Sequence, residues 1–177
     1  MNTQACLASV WKSGLAAPLP AIAIALLGLL QSAAGQSLRV STSGGAPGKP
    51  VTIEVAFDPK SGQETVALQW ELEVASNHLE LDTKQPGQVT TAAQAAGKSL
   101  NCARATAADQ HGPVRCILIG GDQGVPAGKV AVFTAQVPAT AQPGTARIRF
   151  DHILALTRDL KQIPLKAVET TVKITPR

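Results

Sequence analysis

Short alternating runs of apolar and polar residues dominate the chain after residue 36. The clearest run places its large apolar residues at every second position, with Ala, Gln and Glu between them. The apolar set of this run is Val66, Leu68, Trp70, Leu72 and Val74. A two-residue period puts the whole set on one face, as a half-buried antiparallel strand requires. The run therefore predicts a strand whose Trp70 lies in the core.

Comparable runs follow one another along the chain, separated by Gly, Pro, Asn and Asp. The predicted strands cover residues 38–42, 51–57, 66–74, 79–81, 98–103, 114–119, 129–137, 146–150 and 168–174. The imperfect alternation of 129–137 indicates a bulge or burial on both faces. Residues 90–97 form a helical turn or a loop, and residues 104–113 a polar hairpin tip. The pattern predicts an all-β fold, a single two-sheet sandwich of about nine strands.

The first 35 residues have the three parts of a secretory signal peptide. Lys12 is the only charge before an apolar run at residues 15–30, and small residues follow at 32–35. We expect cleavage after Gly35, with Ala34 as the alternative. A membrane anchor is the rival interpretation, but the run is shorter than the roughly 20 residues that span a bilayer. The prediction is a signal peptide at 1–35, a domain at 36–177, and no membrane span after cleavage.

Charge and cysteine content narrow the function further. Loss of Lys12 leaves 15 basic and 12 acidic residues, a net charge of 15 − 12 = +3, with the basic residues scattered along the chain. Nucleic-acid binding is therefore not expected. Cys102 and Cys116 remain after export, and a pair in an oxidising compartment favours a disulfide. The alternatives are a metal site or a reactive thiol, for which only His111 lies between them.

Several segments together resemble a cohesin domain. They are residues 48–55 (GKPVTIEV), 66–74 (VALQWELEV) leading into 79–81 (LEL), 128–137 (GKVAVFTAQV), 143–150 (PGTARIRF) and 167–174 (AVETTVKI). The resemblance implies a nine-stranded jelly-roll sandwich related to certain carbohydrate-binding modules. It also implies a dockerin-type protein partner on the sheet that holds the third, fifth, sixth and eighth strands. The residues predicted to bind that partner are Gln69, Glu71, Glu73, Arg147 and Arg149.

The sequence gives little support for catalysis as an alternative to binding. Glu71 and Glu73 lie two apart on one strand and could form a glycosidase carboxylate pair. The alternative is a solvated strand face on which they pair with Arg147 and Arg149, and we favour it because water around a flat face does not raise the pKa of an acid. The three histidines share no metal-ligand spacing. No enzyme activity, cofactor or metal is expected.

The sequence thus predicts a secreted binding module of a bacterial exterior or periplasm. The leading hypothesis is a monomeric protein-binding domain in an extracellular, polysaccharide-degrading assembly. Direct polysaccharide binding is the second hypothesis, although Trp70, in phase with the apolar residues of its run, offers no exposed stacking surface. A structural subunit of an envelope assembly is the third.

Overall fold

The computed structural model describes residues 35–74, 78–82, 87–104 and 112–176. In these residues the chain forms eleven strands and one short helix. The strands are β1 Ser37–Thr42, β2 Pro50–Asp58, β3 Thr65–Val74, β4 Glu80–Leu81, β5 Gln88–Val89, β6 Ser99–Arg104, β7 Val114–Ile119, β8 Gly128–Gln136, β9 Gly144–Thr157, β10 Gln162–Pro164 and β11 Val168–Ile174. The helix α1 spans Thr91–Ala95. The predicted signal peptide lies outside the described residues except for Gly35, as does His111.

The strands form two antiparallel sheets that pack as a sandwich. The five-stranded sheet has the order β1-β2-β8-β4, and β5 also pairs with β8. The six-stranded sheet has the order β10-β9-β3-β7-β6, and β11 also pairs with β9. The predicted all-β sandwich is confirmed. No helix in the described parts of the chain is long and apolar enough to cross a membrane.

Aromatic side chains at the centre of the sandwich tie the two sheets together. Trp70 of β3 and Phe150 of β9 come from the six-stranded sheet, and Phe133 comes from β8 of the other sheet. Phe133 meets the rings of Trp70 and Phe150 edge-on, each with a centroid distance of 6.4 Å. All three side chains are fully buried. The core position predicted for Trp70 is confirmed.

The predicted strands are present, but the bounds of several of them differ in the structure. β9 extends to Thr157, and the short strands β5 and β10 were not predicted. Within β3, Leu68, Trp70 and Leu72 are buried as expected, whereas Val66 is only half-buried. The β3–β9 register shifts between Thr65 and Ala67, so Val66 has no register partner on β9 and does not take the inward position that strict alternation would give it.

The structure also decides two features that the sequence left open. Thr90 caps α1 by accepting a hydrogen bond from the backbone N–H of Ala93, so residues 90–97 contain a helical turn. The β2–β8 register shifts at Val130, and Val130 and Ala131 are both buried. The predicted bulge of the late strand is therefore confirmed.

The two cysteines that follow the predicted signal peptide form a disulfide. Cys102 on β6 and Cys116 on β7 occupy directly opposite positions in the ladder, and their Cα atoms are 4.1 Å apart. Cys116 is fully buried beneath the sheet. The disulfide interpretation is confirmed, and the cross-link ties the last strand of the six-stranded sheet to its neighbour.

Candidate functional site

All five residues predicted to bind a partner lie on one surface, the outward side of the six-stranded sheet. We call this surface the outer face. Alternation along β3 sends its core residues inward and Gln69, Glu71 and Glu73 outward. Arg147 and Arg149 lie on the same side of β9, and Arg149 is the register partner of Glu73. The outer face is built on β9, β3, β7 and β6, and its role in binding remains a prediction.

Glu71 is the centre of a charged cluster on the outer face. Arg115 of β7 donates from Nε to Glu71 Oε1 at 2.9 Å, and its second guanidinium nitrogen contacts the same oxygen. His152 Nδ1 lies 3.0 Å from Glu71 Oε2. The Glu71 side chain is only 14% exposed. Its carboxylate is thus enclosed between two basic side chains on neighbouring strands.

The electrostatics of this cluster keep Glu71 ionised. The hydrogen bond from Arg115 lowers the pKa of Glu71 below its ordinary value, and the charges of Arg115 and His152 act in the same direction. Burial opposes these effects because it disfavours the charged form. A carboxylate with a lowered pKa suits a structural or recognition role, whereas a general acid in catalysis needs a raised pKa.

A bulge in β9 brings His152 to this position. The β3–β9 register shifts between Gln69 and Glu71, where β9 has one residue more than β3. His152 adopts φ of +48°, a left-handed conformation in which histidine is enriched among non-glycine residues. The Asp151 carboxylate accepts hydrogen bonds from the backbone N–H of His152 at 3.0 Å and from Arg149 at 2.6 Å. The bulge therefore places two consecutive polar side chains beside Glu71.

Apolar side chains cover the other half of the outer face. We call this area the apolar patch; it consists of Ala67, Ile117, Ile119, Leu154 and Leu156. Ile117 is 37% exposed and Ile119 is 45% exposed, and Leu160 is the third exposed large hydrophobic residue in the described part of the chain. The patch lines a shallow groove of about 150 Å³. Clustered exposed apolar side chains on a sheet mark an interaction surface more often than scattered ones do.

The predicted charge pairing across the sheet is wrong in its partners. We expected Glu71 and Glu73 to pair with Arg147 and Arg149. Instead, Glu71 binds Arg115 and His152, and Arg149 binds Asp151 on its own strand. Arg147 lies 4.0 Å from Glu169 of β11. The physical reason is the β9 bulge, which changes the side chains that face Glu71.

Sequence reasoning also missed other residues of the outer face, among them Arg115, Ile117, Ile119 and His152. A usable signal existed for the first three, because β7 alternates and its residues Val114, Cys116 and Leu118 are the inward set. No comparable signal existed for His152, since its position depends on the bulge. Across the described residues, no group of three or more His, Cys, Asp or Glu is placed to hold a metal ion.

No protein-family model and no curated protein sequence matches the chain. Solved structures do match. The sixth cohesin of scaffoldin B from Acetivibrio cellulolyticus, solved with a dockerin, is 14% identical, with a TM-score of 0.65, covering 80% of this chain and 100% of that chain. A cohesin module of a Clostridium perfringens family 33 glycoside hydrolase is 10% identical, with a TM-score of 0.64, covering 81% and 98%. A non-cellulosomal cohesin from the archaeon Archaeoglobus fulgidus is 12% identical, with a TM-score of 0.60, covering 80% and 92%.

These likenesses establish the fold. The chain has a cohesin-like β-sandwich, as the resemblance of its sequence segments implied. The sheet that carries the outer face contains, in order, β9, β3, β7 and β6.

Proposed function

We propose that this chain is an exported, non-catalytic protein-binding module that docks a partner on its outer face. The observation that carries the proposal is the composition of that face, an apolar patch beside a charged cluster on one sheet. Such a surface suits the apolar side of an amphipathic helix with charges along its margin. Several solved neighbours are cohesins in complex with dockerins, which supports a partner of the dockerin type.

Ion pairs among the charged side chains of the outer face support recognition by preformed contacts. Its charged side chains are held in place by one another, because Glu71 fixes Arg115 and His152, and Asp151 fixes Arg149. Fixed side chains lose little conformational entropy on binding. The apolar patch supplies area that gains free energy when it leaves water. In this proposal the charged cluster orients the partner, and the apolar patch contributes most of the affinity.

Polysaccharide binding has less support. Sugar-binding sheets use exposed aromatic rings for stacking, and all four aromatic residues after residue 35 are in the core. They are Phe57, Trp70, Phe133 and Phe150, each fully buried. We therefore assign any polysaccharide-degrading context to the partner's assembly and not to direct contact with sugar.

Catalysis is not part of the proposal. The carboxylate pair that the sequence offered for a glycosidase, Glu71 and Glu73, lies on a sheet face and not in a cleft. The pKa of Glu71 is lowered chiefly by the hydrogen bond from Arg115, so this group stays ionised where a glycosidase acid must hold a proton. Assays on chromogenic glycosides should therefore give no turnover.

Charge placed in the apolar patch should greatly weaken docking. We expect Ile117→Lys combined with Ile119→Lys to weaken partner binding by about 100-fold or more, because two desolvated apolar contacts become buried charges. The exported chain is immobilised and used to capture a protein from the secreted proteins of its own source. The captured protein is then purified, and its affinity for each variant is measured by calorimetry.

The matched control carries two lysines on the opposite sheet. Thr134→Lys combined with Gln136→Lys alters exposed positions of β8 on the outward side of the five-stranded sheet. This variant should bind within about threefold of the wild type. Equal weakening by both pairs of lysines would mean that general charge, and not the outer face, governs binding. Unchanged affinity in the isoleucine variant would remove the outer face as the docking site.

Export is the second element of the proposal, and the start of the folded domain supports it. The Gln36 side chain donates to Gln63 Oε1 at 3.0 Å and accepts from Thr65 Oγ1 at 2.8 Å. Gln36 is therefore integrated into the sandwich, whereas Gly35 is exposed. We expect the mature protein to begin at Gln36. Mass spectrometry of its N-terminal peptide tests this, and an exported protein that retains residues 1–35 would contradict it.

A further inference from the structure

Within the part of the chain that the structure describes, strand β6 is an edge of the six-stranded sheet without the usual protection. Natural edges are shortened, covered, bulged or marked by Lys or Pro, because unpaired backbone groups recruit another strand. β6 is six residues long and contains neither Lys nor Pro, and its one charged residue is Arg104 at the end of the strand. It pairs with β7 through six consecutive positions without a bulge. The disulfide between Cys102 and Cys116 further holds it extended.

The other edges described by the structure are protected. β4 and β5 have two residues each, and β10 has three and ends in Pro164. β1 and β11 close on each other: Thr42 Oγ1 donates to the carbonyl of Thr171 at 3.1 Å, and Gly45 bridges to Ile174. β6 therefore stands apart among the described strands as a long and open edge.

The register determines which backbone groups point to the open side. In an antiparallel ladder, opposite residues are about 5.5 Å apart between Cα atoms when hydrogen-bonded and about 4.5 Å apart when not. The separation of 4.1 Å between Cys102 and Cys116 identifies a non-hydrogen-bonded pair. The backbone N–H and C=O of Cys102 therefore point away from β7, and by alternation so do those of Leu100 and Arg104.

We propose that β6 pairs antiparallel with β6 of a second copy of this chain, forming a symmetric dimer with a continuous sheet. A two-fold axis at Cys102 uses the free backbone groups of all three residues. Cys102 then faces Cys102 of the second copy, and Leu100 of each copy faces Arg104 of the other. Three residue pairs exchange about six hydrogen bonds. This inference replaces the monomer expected from the sequence.

Charge and size at the seam favour a second copy as the occupant. In this register the exposed side chain of Asn101 in one copy faces that of Ala103 in the other copy, so no like charges oppose one another. Both are small or uncharged, and a shallow groove of about 320 Å³ runs over them. Each copy donates the same edge that it accepts, as an isologous interface requires.

The dimer would also affect docking, a consequence that rests on the proposed function. An axis that pairs two edge strands antiparallel is perpendicular to the sheet, so both outer faces point to the same side. A ligand carrying two docking segments could then engage both copies, which raises its effective affinity without new contacts. The association itself requires no docking partner.

Sedimentation equilibrium of the exported chain alone tests the dimer. We expect a reversible monomer–dimer equilibrium in low salt. Asn101→Lys combined with Ala103→Lys should weaken it by at least about tenfold, because the two-fold axis opposes lysines twice. Asn101→Glu combined with Ala103→Lys places opposite charges across the same axis and should restore association to within about threefold of the wild type.

The two variants change the same exposed positions, so circular dichroism should show equal folding. A monomer at all concentrations, or equal association of both variants, would overturn the proposal. If sedimentation shows no dimer, the docking proposal still stands, because sedimentation uses no partner. If the isoleucine variant keeps its affinity for the partner, the docking proposal fails and the dimer proposal still stands. The two proposals can therefore be judged separately.

Discussion

Replacing Trp70 with alanine is expected to lower the free energy of unfolding by about 4 kcal/mol, the range found when a large aromatic core residue is truncated. The side chain is fully buried and meets Phe133 of the facing sheet edge-on. Its loss leaves a cavity between the sheets and removes the ring that couples β3 to β8. Because domains of this size are stable by only about 5–15 kcal/mol, much of the protein should be unfolded in mild urea.

Trp70→Phe is the matched control for this prediction. Trp70 Nε1 is buried and has no hydrogen-bond partner among the described residues. Phenylalanine keeps an aromatic ring against Phe133 and removes the unpaired polar atom, so we expect a loss of less than half that of alanine. Urea denaturation followed by far-ultraviolet circular dichroism measures both. A cost below about 1 kcal/mol for Trp70→Ala would show that the core does not depend on this ring.

Most of the fold could be predicted because a half-buried sheet imposes a two-residue period on its sequence. Strands β2, β3 and β7 alternate strictly near their centres, since one side meets the core and the other meets water. Trp70 was placed correctly for the same reason. The predictions failed where alternation is interrupted, at Val66 in β3 and at His152 in β9. There, pairing with a neighbouring strand overrides the local pattern.

The candidate site was predictable in its location but not in its contacts. Outward positions of β3 follow from the period alone, which is why Gln69, Glu71 and Glu73 share a face. The partner of Glu71 depends on the registers of β7 and β9. The alternation of a strand fixes which side of the sheet each residue faces, but it does not by itself fix which residues of two distant strands stand opposite each other. Arg115 and His152 reach Glu71 from 44 and 81 positions away in the sequence (115 − 71 and 152 − 71).

Removing the disulfide should have the second-largest effect on stability. Cys102→Ala combined with Cys116→Ala opens a loop of about 15 residues, which the chain-entropy model values at about 3 kcal/mol. The folded state already holds the two positions opposite each other through the β6–β7 ladder. The cross-link therefore acts mainly by restricting the unfolded chain, and the variant should fold to the same structure with a lower urea midpoint.

Reduction of the wild type by a dithiol separates the cross-link from the volume of the sulfur atoms. Cys116 is fully buried, so the alanine variant also leaves a small cavity, whereas the reduced wild type does not. We expect the reduced protein to lose most of the 3 kcal/mol and the variant slightly more. Amide hydrogens of the edge strand β6 should exchange faster in both when the protein is measured as a monomer, because within one copy β6 has only one neighbouring strand in its sheet. Coincident urea midpoints for the oxidised and reduced protein would contradict this account, since the same ladder would then hold the hairpin without help.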